Sequence, residues 1–253
     1  EKYGGLGFSP SAHSAVILKI ASRSISAALT VMIPNSVGPA KLILEHGTEE
    51  QKEKYLPPLA SGEMYAAFGL TEPNAGSDSG NTQTTAVLDG NEWVINGSKI
   101  FITNASTDIT TGVTVMARTG ALDDGRPELS CIIVESGTPG FTAREMHGKL
   151  MWRSSNTSEL YFEDCRVPKE NLLGPRGQGF HQMMKTLDGG RLSIGAMGLG
   201  GAQGCLDMAM KYSQEREQFN RPIATFQVNA FKLADMAMEI ECARLLLYKA
   251  CWL

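Results

Sequence analysis

An α+β fold is predicted for this chain: a helical N-terminal part over residues 1–64, a central antiparallel β barrel or sandwich over 65–167, and a C-terminal helical bundle over 168–253. Three observations predict it. Helical spacing with capping signals fills the first part, short alternating runs separated by turn residues fill the second, and helical patterning returns after a Pro/Gly-rich connection.

In the first part, Ser11 is placed to cap a helix that runs to Met32, and Pro34 interrupts it. The stretch "LILEHGTEEQKEKYL" then ends one helix at Gly47 and starts another with Thr48 and Gln51, a capping box. After "LPPLASGE" the apolar period shortens from helical to alternating.

The middle part offers about seven short strands: "YAAFGL", "TTAVL", "EWVI", "KIFIT", "VTVMA", "LSCIIVE" and "ELYFEDCRV". Asp89-Gly90 and Asn96-Gly97 sit between such runs, where positive backbone dihedrals suit primed hairpin turns. No crossover helices interrupt the series, which excludes an all-parallel sheet.

"RVPKENLLGPRGQGF" connects to the last part. There, "GAMGLGGAQG" has neither the glycine spacing nor the preceding strand of a dinucleotide fingerprint. Its small residues Gly198, Gly201, Ala202 and Cys205 are read as letting two helices approach closely. In "FQVNAFKLADMAMEIECARLLLYKA" few polar residues break an apolar circumference, the pattern of a helix buried in a bundle or at a subunit contact. The first and last residues look like the interior of longer domains, so the chain is expected to be a fragment or the ordered part of one.

Composition excludes several functions. Of the 253 residues, 42% are hydrophobic and 20% charged, and a net charge of −4 without a Lys/Arg-rich run leaves nucleic acid no basic surface to bind. Five scattered cysteines without a CxxC pair give neither a disulfide framework nor a zinc site, and fit a reducing compartment. No signal peptide or membrane-spanning run is present. His13, His46, His147 and His181 lack ligand spacing, and no GxSxG elbow presents a serine nucleophile.

One stretch remains, "FGLTEPNAGSDSG" at residues 68–80. A strand breaks at Pro73 into a turn with hydroxyls at Thr71 and Ser77. Successive amides in such a turn form an anion-binding concavity suited to a diphosphate, and the same residues equally make an Asx-type surface loop. "KIFITNAS" adds to the first reading. Phe101 and Thr103, two apart on a strand, share a face and offer a flat heteroaromatic ring an apolar surface and a hydrogen-bonding edge.

The ordered segments "AFGLTEPNAGSD", "NGSKIFITNAS", "GTPGF", "FEDCRVPKENLLG", "GQGF", "TLDGGR" and "EREQFNRPIATFQ" resemble the acyl-CoA dehydrogenase family of flavoenzymes along essentially the whole chain. The resemblance implies the end of a helical N-terminal domain, a middle β domain and the first helices of a C-terminal four-helix domain, usually in a homotetramer. It implies FAD as cofactor, with Phe68, Leu70, Thr71, Gly76 and Ser77 in the flavin-binding strand and turn, and Phe101, Ile102 and Thr103 beside the ring. Arg216, Phe219, Phe226 and Gln227 match residues that reach the FAD of a neighbouring subunit, Arg216 by pairing with phosphate. Ser77, Asp188 and Arg191 match positions that contact the acyl-CoA.

The implied reaction is α,β-dehydrogenation of an acyl-CoA thioester, with electrons passed to electron-transfer flavoprotein. An acyl-CoA oxidase or flavin monooxygenase of the same fold, or a catalytically silent scaffold, are the alternatives. Some members carry the catalytic Glu immediately before the Arg of "LDGGR"; here that position is Gly190, so the general base is expected outside these residues. Glu72, the acid in the flavin turn, is not at the base's position. Acyl chain length is open, with "LDGGR" leaning towards short or branched chains. The expected location is cytoplasmic in a bacterium and the mitochondrial matrix in a eukaryote.

Overall fold

The computed structural model describes residues 1–32 and 38–253. Pro34, where the sequence places a helix break, lies outside them.

Helix α1 (Pro10–Ala21) is capped by Ser9, whose hydroxyl accepts from the Ala12 amide at 3.2 Å. Ser11 is not the cap: Pro10 takes the first helical position, where its missing N–H loses nothing, and the cap must precede it. Nor does the helix reach Met32. It stops at Ala21, and Ser24 caps a separate α2 (Ile25–Thr30) by accepting from Ala27. The cap lies in the polar stretch Ser22-Arg23-Ser24, which separates the two helices.

Helix α3 (Gly38–His46) gives way at Gly47 to α4 (Glu49–Ser61), which opens with the predicted capping box: Thr48 and Gln51 each donate a backbone N–H to the other's side chain, at 3.0 and 3.2 Å. The helix carries through Pro57 and Pro58 to Ser61 and is capped by Gly62 at φ +81°, which agrees with the change of period after "LPPLASGE".

Eight strands form one sheet: β1 (Tyr65–Gly69), β2 (Thr85–Asp89), β3 (Glu92–Thr103), β4 (Thr110–Ala121), β5 (Pro127–Glu135), β6 (Phe141–Glu145), β7 (Thr157–Pro168) and β8 (Leu172–Leu173). Their order is β6-β7-β3-β2-β4-β5-β8, with β1 paired to β4. The pairs are antiparallel except that β4 runs parallel to β1 and, at Thr85 and Arg118, to β2. Alternate residues of β4 and β5 enter two different apolar clusters. Val113, Val115, Ile132 and Val134 join Trp93, Ile95, Leu160 and Phe162 in one, whereas Met116, Cys131 and Ile133 join Phe68, Leu70, Leu42, Ile43 and Met183 in the other. A sheet covered on both faces explains why "VTVMA" and "LSCIIVE" read as continuous rather than alternating apolar runs.

The predicted strands "EWVI" and "KIFIT" are one strand, β3, and Asn96-Gly97 is not a turn. It faces a bulge: between Ile95 and Gly97 the partner β7 carries one extra residue, and Asp164 sits at φ +47°. Asn96 holds that bulge with both ends of its amide, accepting from the Asp164 N–H at 2.8 Å and donating to its carboxylate at 3.1 Å. Gly97, at φ +145°, is required there because a Cβ would stand 2.7 Å from Thr84 Cα. Asp89-Gly90 does end a hairpin strand, with a two-residue loop of Gly90 and Asn91 before Glu92.

Helix α5 (Gly179–Glu215) leads to a hairpin, β9 (Glu217–Gln218) and β10 (Arg221–Pro222), whose two-residue turn has Phe219 and Asn220 at φ +52° and +59°, the signature of a type I′ turn. Helix α6 (Gln227–Trp252) follows. The chain divides into two units, Glu1–Gly7 with Ile33–Asp188, and Phe8–Met32 with Gly189–Leu253.

Within the second unit, α1 and α5 are in close contact, but through other small residues than expected. A Cβ on Gly200 would lie 2.4 Å from the Leu18 carbonyl oxygen, and one on Gly204 2.4 Å from that of Ser22. These glycines, four apart, lie on one helix face. Gly201 does face Ile25 of α2, at 3.2 Å, whereas Gly198, Ala202 and Cys205 line an apolar groove of ≈ 730 Å³ between α5 and α6. Helix α6 buries Ile240 and Leu247 and leaves Val228, Phe231, Met238, Leu245 and Leu246 exposed in this chain.

Gly200→Ala is expected to destabilise the second unit by about 1–3 kcal/mol through overpacking, whereas Gly198→Ala, with nothing within 4 Å of its Cβ, is neutral or slightly stabilising. Urea unfolding of both variants checks this; equal effects would contradict the α1–α5 contact.

Candidate cofactor site

The first unit contains a recess of ≈ 180 Å³ lined by Phe68, Leu70, Thr71, Phe101, Ile102, Thr103 and Leu187. The end of β1 supplies one wall and the end of β3 the other. The two are tied by the Ile100 amide, which donates to the Thr71 carbonyl at 2.9 Å. A second bulge shapes the β3 wall: between Lys99 and Ile102 this strand carries one extra residue against β7, and Phe101 takes φ +61° and is 61% exposed. Phe101 and Thr103 thus converge on the recess through a bulge, not through the flat alternation the sequence suggested. Lys99 and Ile102, three apart, are both buried, as the added residue requires.

Phe68, Leu70 and Ile102 are buried apolar floor, and among the described residues no hydrogen bond engages the hydroxyls of Thr71 or Thr103. The arrangement suits a flat, polar-edged ring: an aromatic face from Phe101 and hydroxyls at the rim. Pockets that enclose a drug-sized ligand run to roughly 300–1,000 Å³, so this recess of ≈ 180 Å³ is large enough to enclose only part of such a ligand. Beside it, the turn closes on itself through Glu72 and Ala75, each donating an N–H to the other's carbonyl at 3.1 and 3.2 Å. The amides of Gly76, Ser77 and Asp78 that follow donate to no acceptor among the described residues, and all three residues are exposed. A Cβ on Gly76 would meet nothing within 4 Å, so the backbone there is open to a ligand. Three successive free amides beside an apolar recess fit a diphosphate-linked ring.

Beneath the turn lies a buried ion pair. Lys99 Nζ donates to Glu72 Oε1 at 2.8 Å and to the Leu70 carbonyl at 3.2 Å, and the two residues are 1% and 5% exposed. Glu72 also accepts from the amides of Gln83 at 2.7 Å and Thr84 at 3.0 Å. Burial works against the Glu72 carboxylate, but the charge of Lys99 and the bonds from Lys99, Thr84 and Gln83 outweigh it and hold the group below the ordinary carboxylate range. At Lys99 burial dominates and draws the ammonium below the usual lysine value, partly offset by Glu72. Glu72 is therefore committed as a buried counter-ion, and none of the recess-lining residues is a carboxylate. Leu187 and the Lys99–Glu72 pair were not singled out from sequence; a lysine amid the apolar residues of "SKIFI" was the available signal for the pair.

The other sequence-predicted residues lie elsewhere. Asp188 and Arg191 are exposed and three apart on one face of α5. Arg216, Phe219, Phe226 and Gln227 belong to the second unit, around the β9–β10 hairpin and the start of α6. Phe219 is 88% exposed and packs edge-on to Phe226, with centroids 6.1 Å apart, while the Arg221 guanidinium covers the Phe226 ring at 4.3 Å. Among the described residues no cluster of metal-binding side chains occurs, and no helix is long and apolar enough to cross a membrane.

Along the chain, helices are followed by the β strands and then by helices again, and comparison with known proteins matches that order. Three domain families match in order: "Acyl-CoA dehydrogenase, N-terminal domain" over residues 1–63, "Acyl-CoA dehydrogenase, middle domain" over 67–165, and "Acyl-CoA dehydrogenase, C-terminal domain" over 177–253. The chain belongs to the acyl-CoA dehydrogenase family. It is 48% identical over 253 residues to the probable acyl-CoA dehydrogenase YngJ of Bacillus subtilis, covering all of this chain and 66% of that protein. It is 53% identical over 215 residues to the short-chain-specific acyl-CoA dehydrogenase of Clostridium acetobutylicum, covering 85% of this chain and 56% of that one. The solved butyryl-CoA dehydrogenase of Megasphaera elsdenii superposes with a TM-score of 0.91 at 43% identity, covering 99% of this chain and 65% of its own. The chain thus spans about two thirds or less of the length of these relatives.

Phe101 in the left-handed region carries backbone strain that glycine would relieve. Phe101→Gly is expected to be more stable than Phe101→Ala by about 1 kcal/mol when both are unfolded in urea without cofactor. The reverse order would contradict the bulge.

Proposed function

We propose that this chain carries the flavin seat of an FAD-dependent acyl-CoA dehydrogenase that removes hydrogen from the α and β carbons of an acyl-CoA thioester. The observation that carries this reading is the recess with Phe101 and the hydroxyls of Thr71 and Thr103, set beside the amides of residues 76–78, which have no hydrogen-bond partners among the described residues. FAD bound there supplies the two-electron acceptor for the hydride from the β carbon. Phe101 offers its face to the ring, and the hydroxyls of Thr71 and Thr103 hydrogen-bond its edge. The amides of Gly76 and Ser77 hold the diphosphate. Phe68, Leu70 and Ile102 keep water from the floor, which strengthens each of these polar contacts.

Asp188 and Arg191 are assigned to the acyl-CoA, and the carboxylate that takes the α proton is assigned outside these residues. Arg216, Phe219, Phe226 and Gln227 are assigned to the FAD of a neighbouring subunit, in a homotetramer. The exposed apolar residues of α6 and the 88% exposed Phe219 support an assembled state. Electron-transfer flavoprotein is the proposed acceptor of the electrons.

The test is spectroscopic. The purified full-length protein should retain a flavin band through gel filtration after FAD is added, bleach anaerobically on addition of butyryl-CoA, and recover slowly in air. A colourless protein would overturn the reading, and rapid reoxidation with peroxide release would identify an oxidase instead.

A further inference from the structure

The hydride chemistry makes no use of the Lys99–Glu72 pair, yet the pair lies directly under the flavin turn. We propose that Lys99 and Glu72 are positioning residues that set the two walls of the recess and the adjoining amides in register before the cofactor arrives. The inference rests on the flavin reading above.

Lys99 is two residues before Phe101 on β3, and its ammonium reaches across to two acceptors on the other wall, the Leu70 carbonyl and the Glu72 carboxylate, at 3.2 and 2.8 Å. Leu70 and Thr71 line the recess; Glu72 begins the turn. The same carboxylate accepts from the amides of Gln83 and Thr84, so one group ties the turn, the segment before β2 and strand β3 together. Apolar side chains of similar volume would fill this space, and buried ion pairs often stabilise no better than such a replacement. What charge adds is direction: an ammonium with two fixed acceptors and a carboxylate with three fixed donors allow one arrangement of the segments they join. The extra residue of the β3 bulge begins immediately after Lys99, so the lysine also fixes where the strand departs from its regular path.

The experiment compares the parent protein with Lys99→Met, Glu72→Gln and the double variant. FAD affinity is read by titration, the visible band shape of bound flavin by absorption, and the melting temperature without FAD by calorimetry. The single variants strand one partner and melt lower. The double variant is expected to melt close to the parent while binding FAD about tenfold or more weakly, as lost preorganisation predicts, and its bound flavin to lose the parent's band shape. A double variant with the parent's melting temperature, affinity and spectrum would overturn the proposal. If the double variant does not fold, Glu72→Asp keeps both charges and shortens the reach. Weaker FAD binding at unchanged melting temperature then supports the proposal, and unchanged affinity overturns it. A parent protein that binds no FAD removes the flavin reading itself, an outcome distinct from equal binding by parent and variants.

Discussion

A lysine ammonium enclosed in a β-sheet must be paired, and that constraint organises the region that matters most here. Lys99 has Glu72 and the Leu70 carbonyl as acceptors, and Glu72 has backbone donors at Gln83 and Thr84. Removing one partner of such a pair costs about 3–5 kcal/mol, so turn, strand and connecting segment are held as one piece. The recess and its free amides are the outer surface of that piece. Its interior carries a fully partnered charge pair, and its exterior presents solvent-exposed amides that have no acceptor among the described residues.

Strand β3 does two further jobs with two irregularities. At Asn96 and Gly97 it accommodates the extra residue on β7, and between Lys99 and Ile102 it carries an extra residue of its own. The first keeps the long pair in register; the second turns Phe101 outward at a positive φ while Ile102 returns to the core. In a regular strand Lys99 and Ile102, three apart, would point to opposite faces; the extra residue lets both be buried while Phe101 is turned outward.

Much of this was legible in the sequence, and the remainder was not for physical reasons. The capping box of α4 and the order of helices, strands and helices follow from local chemistry, and the 68–80 stretch and "KIFITNAS" are joined by the complementary groups they offer a ring ligand. Asn96-Gly97 reads as a turn because that dipeptide favours positive dihedrals; only Gly97 adopts one, opposite a bulge that the Asn96 side chain holds, a distinction made by the partner strand. The break between α1 and α2 has a signal in Ser22-Arg23-Ser24, but serines also occur inside α1 and α2, at Ser11, Ser14 and Ser26, so a serine alone does not mark Ser24 as a cap. Gly200 and Gly204 look no different from Gly198 until α1 is seen against them. The long-range pairing of Lys99 with Glu72, 27 positions apart, leaves no periodic trace at all.

The central claim is that residues 76–78 and the end of β3 receive the flavin. Amide hydrogen exchange with and without FAD tests it most directly. Binding should slow exchange at Gly76, Ser77 and Asp78, whose amides lack acceptors among the described residues, and at Phe101 to Thr103, while β6 exchanges as before. Tight FAD binding that leaves the 76–78 amides exchanging at their free rate would contradict the account.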